Sequence, residues 1–146
     1  MPDRVRDACE ACFDAHKDDC SGFSRAVAAS FDVELNGLAN DIVEALRAGG
    51  EWAKLQDGVA AADSAKAGKL VLGGLRGDEQ FEHSNHGHVV VVVDGPLAHG
   101  RYPSAYWGSL GGTPAKFETT NWAWTEHDRD RVTYAEHELP SAMTQT

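Results

Sequence analysis

Five consecutive valines, Val89–Val93, set the tightest limit on the fold of this 146-residue chain. Successive side chains of a strand point to opposite faces, so an unbroken apolar run needs cover on both. A sheet with one wet face cannot provide it, and layers must lie above and below. The first half of the chain can supply them. From Asp3 to about His16, Val5, Ala8, Cys9, Cys12 and His16 recur at three- and four-residue steps, which predicts an amphipathic helix with its cysteines facing inward. Asp18 or Asp19 can cap a second helix running from Cys20 to about Ser30 through Phe23 and Val27. A third begins near Asn36, carries Leu38, Ile42, Val43 and Leu46 on its buried side, and stops at Gly49-Gly50; residues 58–66 read as a short fourth. Further strands are expected at Leu70 to Leu72, Tyr106 to Leu110 and Val132 to His137, and the tail from Pro140 reads as loose. Helices first and sheet second, with no linker or repeat between them, predict one α+β domain over residues 1–146.

A domain of this size with 42% hydrophobic residues can bury one core without metals or crosslinks. The net charge of -10, from 23 acidic and 13 basic residues, argues against nucleic acid as a partner, because such binding depends on Lys and Arg contacts to phosphate. No run approaches the roughly 18 to 20 apolar residues of a membrane helix, so membrane insertion is not expected. Met1 to Arg6 is too charged to open a secretory signal peptide. The chain therefore reads as cytosolic, or as exported by an unusual route.

Three cysteines, Cys9, Cys12 and Cys20, are an odd number crowded near one end, unlike a disulfide framework, so at least one thiol is unbridged. Cys20 falls at a helix start, where unpaired amides and the macrodipole favour a thiolate and where its own N–H could meet an oxyanion. His88 opens the valine strand behind Gly87, which permits close approach of another chain segment. By strand alternation His88 shares a face with Val90 and Val92, read here as the face that packs on the Cys20 helix. Together they suggest a nucleophile and its base. His86 would share that face if the strand began early, and is the runner-up base.

Plainer readings stand beside these. A lone cysteine is usually a small buried hydrophobe, and a histidine on a strand is usually structural. Cys9, Cys12, His16 and Cys20 mimic a zinc motif, but on one continuous helix Cys9 and Cys20 would lie about 16 Å apart, against the roughly 4 Å between ligands of one zinc. Only a sharp break near Lys17 would rescue that site. Cys9 with Cys12 as a redox pair, and His83, His86 and His88 as a metal-binding edge near Glu82, are further alternatives. Trp52, Tyr106, Trp107, Trp122 and Trp124 read equally well as core or as the lining of a sugar or peptide groove. Asp128 to Arg131 reads as a solvated turn with local ion pairs.

Asp19-Cys20-Ser21-Gly22-Phe23, then Gly68-Lys69-Leu70-Val71, then Gly87-His88-Val89 resemble in order the nucleophile helix, first strand and histidine strand of NlpC/P60 cysteine peptidases. The chain looks closer still to type VI secretion amidase effectors. That likeness runs through residues 70–77 (LVLGGLRG), Gly95-Pro96-Leu97, Tyr102-Pro103, Gly108-Ser109 and Asp128-Arg129-Asp130-Arg131. The resemblance implies a papain-like fold with N-terminal helices packed on a small antiparallel sheet, Cys20 as nucleophile, His88 as base, and no cofactor or metal. It implies hydrolysis of the γ-D-glutamyl to meso-diaminopimelate bond in peptidoglycan stem peptides. It also implies delivery by the type VI secretion apparatus into a neighbour's periplasm and a cognate periplasmic immunity protein. At the third catalytic position, Tyr106-Trp107-Gly108 offers no carboxylate, amide or imidazole. The resemblance puts the imidazole orienter at Trp107, acting through its main-chain carbonyl because an indole only donates. On the same fold the alternatives are an acyltransferase or a peptidase cutting the diaminopimelate to D-alanine crosslink; outside enzymes, a zinc or binding module.

Overall fold

A computed structural model describes residues 3–139; the tail from Pro140 lies outside them. The helices begin where short polar side chains accept from free amides. Asp3 accepts from the N–H of Arg6 at 2.9 Å and starts α1, Arg4–His16. Asp19 accepts from the N–H and the hydroxyl of Ser21 at 3.2 and 2.9 Å and starts α2, Cys20–Ala29. Asp57 does the same from Ala60 for α4, Gly58–Lys66. The third helix, α3, spans Ala39–Ala48. It begins later than expected, and Leu38, read as buried, sits at its cap and is 59% exposed.

Six strands form one sheet: β1 Ala53–Leu55, β2 Leu70–Leu75, β3 His88–Val92, β4 Ser104–Trp107, β5 Ala115–Thr119 and β6 Thr133–His137. Their order is β1-β6-β2-β3-β4-β5, and every neighbouring pair is antiparallel. The valine strand lies inside this sheet, with cover on both faces as its composition demands. Val89 and Val91 join a core with Phe23, Val27, Ile42 and Leu46 from α2 and α3. Val90 and Val92 join a second core with Val71, Leu75, Trp107 and Trp124, closed by Ala61 and Ala65 of α4. The fold is α+β, as expected. Two strands were not foreseen, β1 and β5, and both are sheet edges: β1 has three residues and β5 is only half-buried. The expected strand from Tyr106 to Leu110 instead runs from Ser104 and ends at Trp107.

Candidate active site

The chain breaks between α1 and α2 at Lys17 to Asp19, and the end of β4 clamps this break. The N–H of Ser109 donates to the carbonyl of Lys17 at 2.8 Å. A Cβ on Gly108 would lie 2.6 Å from the carbonyl oxygen of Asp19 and 2.8 Å from that of His16. Glycine is therefore what lets β4 dock beside Cys20. Gly108→Ala is expected to force the two segments apart at about 1–3 kcal/mol of stability, read as a lower urea midpoint. An unchanged midpoint would contradict the clamp. Gly87 plays the expected close-approach role before β3: its Cβ would meet Oδ1 of Asn40 at 2.6 Å and the carbonyl of Leu75 at 2.8 Å. Asn40, near the start of α3, accepts from the N–H of Gly77 at 3.0 Å and donates to the carbonyl of Asn85 at 3.1 Å, tying both ends of the loop that leads into β3.

His88 does share a face with Val90 and Val92, but that face belongs to the second core, away from α2. The expectation that the imidazole lies on the face under the Cys20 helix is thus corrected: Val89 and Val91 take that side. Cys20 packs at the edge of the first core while His88 belongs with Trp107 and Trp124. Both line one cleft of about 930 Å³ at the end of the sheet. The main-chain N–H of Val89, the residue after His88, favours the Cys20 thiolate. His86 also lines the cleft, but from the loop before β3, so it is not on the strand.

Burial pushes the Cys20 thiol above its ordinary pKa and the charge of Asp19 adds to this, while the N–H groups of Val89, Ser21 and Cys20 itself pull down without prevailing. The helix start was expected to lower this thiol, but desolvation outweighs it. Although part of His88 faces the cleft, its ring is boxed by two perpendicular indoles, Trp107 at 6.2 Å and Trp124 at 5.3 Å between centroids. Burial lowers its pKa to about 4. One shift protects the protonated thiol and the other the unprotonated ring, so the resting pair is neutral. Such a pair suits proton transfer during attack rather than a standing thiolate.

Other expectations divide. Trp52 and Tyr106 are core; Tyr106 donates to Glu10 and accepts from Nε of Arg6 at 3.2 Å, pinning α1 to β4. Trp107 and Trp124 are buried yet border the cleft, whereas Trp122 lies on its rim, 73% exposed. Asp128 does pair with Arg131, at 2.6 Å, but it is not solvated. It is 4% exposed and accepts from the N–H of Phe81 at 2.8 Å. Burial would raise its pKa, but the bonds from Arg131, Phe81 and Thr125 outweigh that and hold it below the usual carboxylate range. Asp19, Asp41 and Asp128 line the cleft, and no Lys or Arg is among its described lining residues. The break near Lys17 exists, yet the three cysteines are unbridged and, among the described residues, no three His, Cys, Asp or Glu side chains gather where a metal could be held. Among the same residues no helix is long and apolar enough to cross a membrane. Sequence reasoning gave no signal for Asn40, and none for a buried Asp128.

No protein-family model matches the chain. It is similar to the peptidoglycan amidase Tse1 of Pseudomonas aeruginosa, at 38% identity over 130 residues that cover 86% of this chain and 79% of that protein. Identity of that level over most of both chains is kinship, and the chain belongs to the family of which the peptidoglycan amidase Tse1 is a member.

Proposed function

We propose that this chain is a cysteine amidase that cuts the bond between D-glutamate and meso-diaminopimelate in peptidoglycan stem peptides. The observation that carries this reading is that Cys20, at the start of α2, and a neutral His88 line one cleft in a chain akin to a peptidoglycan amidase. His88 accepts the thiol proton as the Cys20 sulfur attacks the amide carbonyl. The α2 cap uses the N–H of Ser21, which leaves that of Cys20 for the oxyanion. His88 passes its proton to the nitrogen as the C–N bond breaks, giving a thioester and a free amine. It then takes a proton from water, whose oxygen attacks the thioester; a carboxylate leaves and the thiol is restored. In this reading Trp107 orients the imidazole through its main-chain carbonyl, and the whole chain is one papain-like domain related to NlpC/P60 peptidases.

Diaminopimelate carries an ammonium group, and a cleft with carboxylates and no Lys or Arg among its described lining suits it. The same reading makes the protein an antibacterial effector, passed by the type VI secretion apparatus into a recipient periplasm and neutralised there by an immunity protein. Mass analysis of Gram-negative muropeptides after incubation tests it. Products split between D-glutamate and diaminopimelate, with the glycan whole, are expected, and expression should harm cells only when directed to the periplasm. Cleavage only at the D-alanine crosslink, release of sugar reducing ends, or toxicity in the cytoplasm would each overturn it.

A further inference from the structure

Trp124 stands nearer to the imidazole than the residue expected to orient it. It follows the 3-10 turn Thr120–Trp122, is 8% exposed, and packs in the second core with Trp107, Val90 and Val92. Its ring centroid lies 5.3 Å from that of His88, against 6.2 Å for Trp107, and both indoles meet the imidazole edge to face. Its Nε1–H is buried and has no partner among the described residues. An unpaired buried donor is a penalty that phenylalanine would not carry. What the position contributes is therefore its aromatic ring and not its N–H. The segment is fastened on both sides: Ala123 donates to the carbonyl of Thr120 at 3.0 Å, and Asp128 accepts from Phe81 at 2.8 Å and from the hydroxyl of Thr125 at 3.3 Å.

The titratable groups that share the cleft with His88 are Cys20 and Asp19 from α2, Asp41 from α3, His86 from the preceding loop and Asp128 from the turn beyond Trp124. None of them moves its ionisation; burial alone does. We propose that Trp124 is a positioning residue whose ring closes the side of His88 that Trp107 leaves open, fixing the imidazole and keeping water from it. The proposal takes His88 as the base from the reading above, but the wall itself is measurable without turnover.

The test is the ring titration of His88 by NMR in the Cys20→Ala protein, alone and combined with Trp124→Ala, Trp124→Leu or Trp124→Phe. With Trp124 present, His88 should titrate near pH 4. Trp124→Ala should raise that midpoint by at least about one pH unit toward the ordinary value of roughly 6.5, while Trp124→Phe should hold it within about half a unit. In the enzyme with Cys20 intact, the acid limb of kcat/KM should move with it, so that Trp124→Ala loses about twofold at pH 5 relative to its activity at pH 7 for a rise of about one pH unit and about tenfold for a rise of about two. Trp124→Leu is read in the same way if the alanine protein does not fold. A folded Trp124→Ala or Trp124→Leu protein with an unmoved His88 titration overturns the proposal, as does a phenylalanine variant shifted as far as the alanine one. Should the titrations behave as expected while no muropeptide is cut, the wall stands and the amidase reading falls.

Discussion

Cys20→Ala protein is expected to fold and melt as the parent does, yet to release no product from muropeptides, a loss of at least about four orders of magnitude in turnover. No other thiol can stand in. Cys9 is fully buried, with its pKa pushed well up by desolvation. Cys12 lies against Ser30, 3.8 Å from its hydroxyl, and is not among the residues that line the cleft. The thiol of Cys20 sits at the edge of its core, so trimming it should change stability by no more than about 1 kcal/mol. Circular dichroism and a melting curve, run beside the activity assay, separate lost chemistry from lost fold. A folded Cys20→Ala protein that still cuts would remove the mechanism.

His88→Ala is expected to lose several orders of magnitude, whereas His86→Ala should keep activity within about threefold, because only His88, at the start of β3, is held between Trp107 and Trp124 in the cleft that Cys20 lines. Reversed outcomes would transfer the role to His86. The parent should also stay active well below the usual histidine range, since the imidazole remains neutral down to about pH 4. The sign for stability follows from the same shift. Between roughly pH 6.5 and 4 the unfolded chain takes up a proton at His88 that the folded chain refuses, so stability falls as pH drops through this window, by at most about 3 kcal/mol. His88→Ala should flatten that slope, as read from urea midpoints at pH 7, 5.5 and 4.5.

The elements legible in the sequence were those with strong periodicity or a cap: the four helices, α3 with a start set too early, and the central strands. The edges β1 and β5 were not, since three residues in one case and half-exposed alternation in the other leave almost no signal. Alternation correctly grouped His88 with Val90 and Val92, but a run apolar on both faces cannot say which layer covers which face. Here the answer is set by α4 and Trp124, remote in sequence. Cys20 and His88 were readable as candidates from their neighbours. Trp124 was not, because nothing local distinguishes it from Trp122, two residues earlier; one is buried beside the imidazole and the other is 73% exposed. The helix start at Cys20 was visible in the sequence, but the desolvation that outweighs it is a property of the assembled cleft. The same holds for Asp128, which accepts its hydrogen bond from the N–H of Phe81, remote in sequence.

The sheet order has a consequence for the moment at which this protein comes to life. Strand β6, the last in chain order among the described residues, lies between β1 and β2, both made much earlier. A nascent chain that has emerged as far as β2 holds the thiol of Cys20 but not His88. One that has reached β3 holds both, but lacks Trp107 and Trp124 to box the ring and the strand that joins β1 to β2. Ribosomal delivery proceeds from the N-terminus, so the middle of the sheet is filled last. On the reading that Cys20 and His88 are the catalytic pair, both indole walls of the imidazole and the strand that joins β1 to β2 are thus made only after the pair itself.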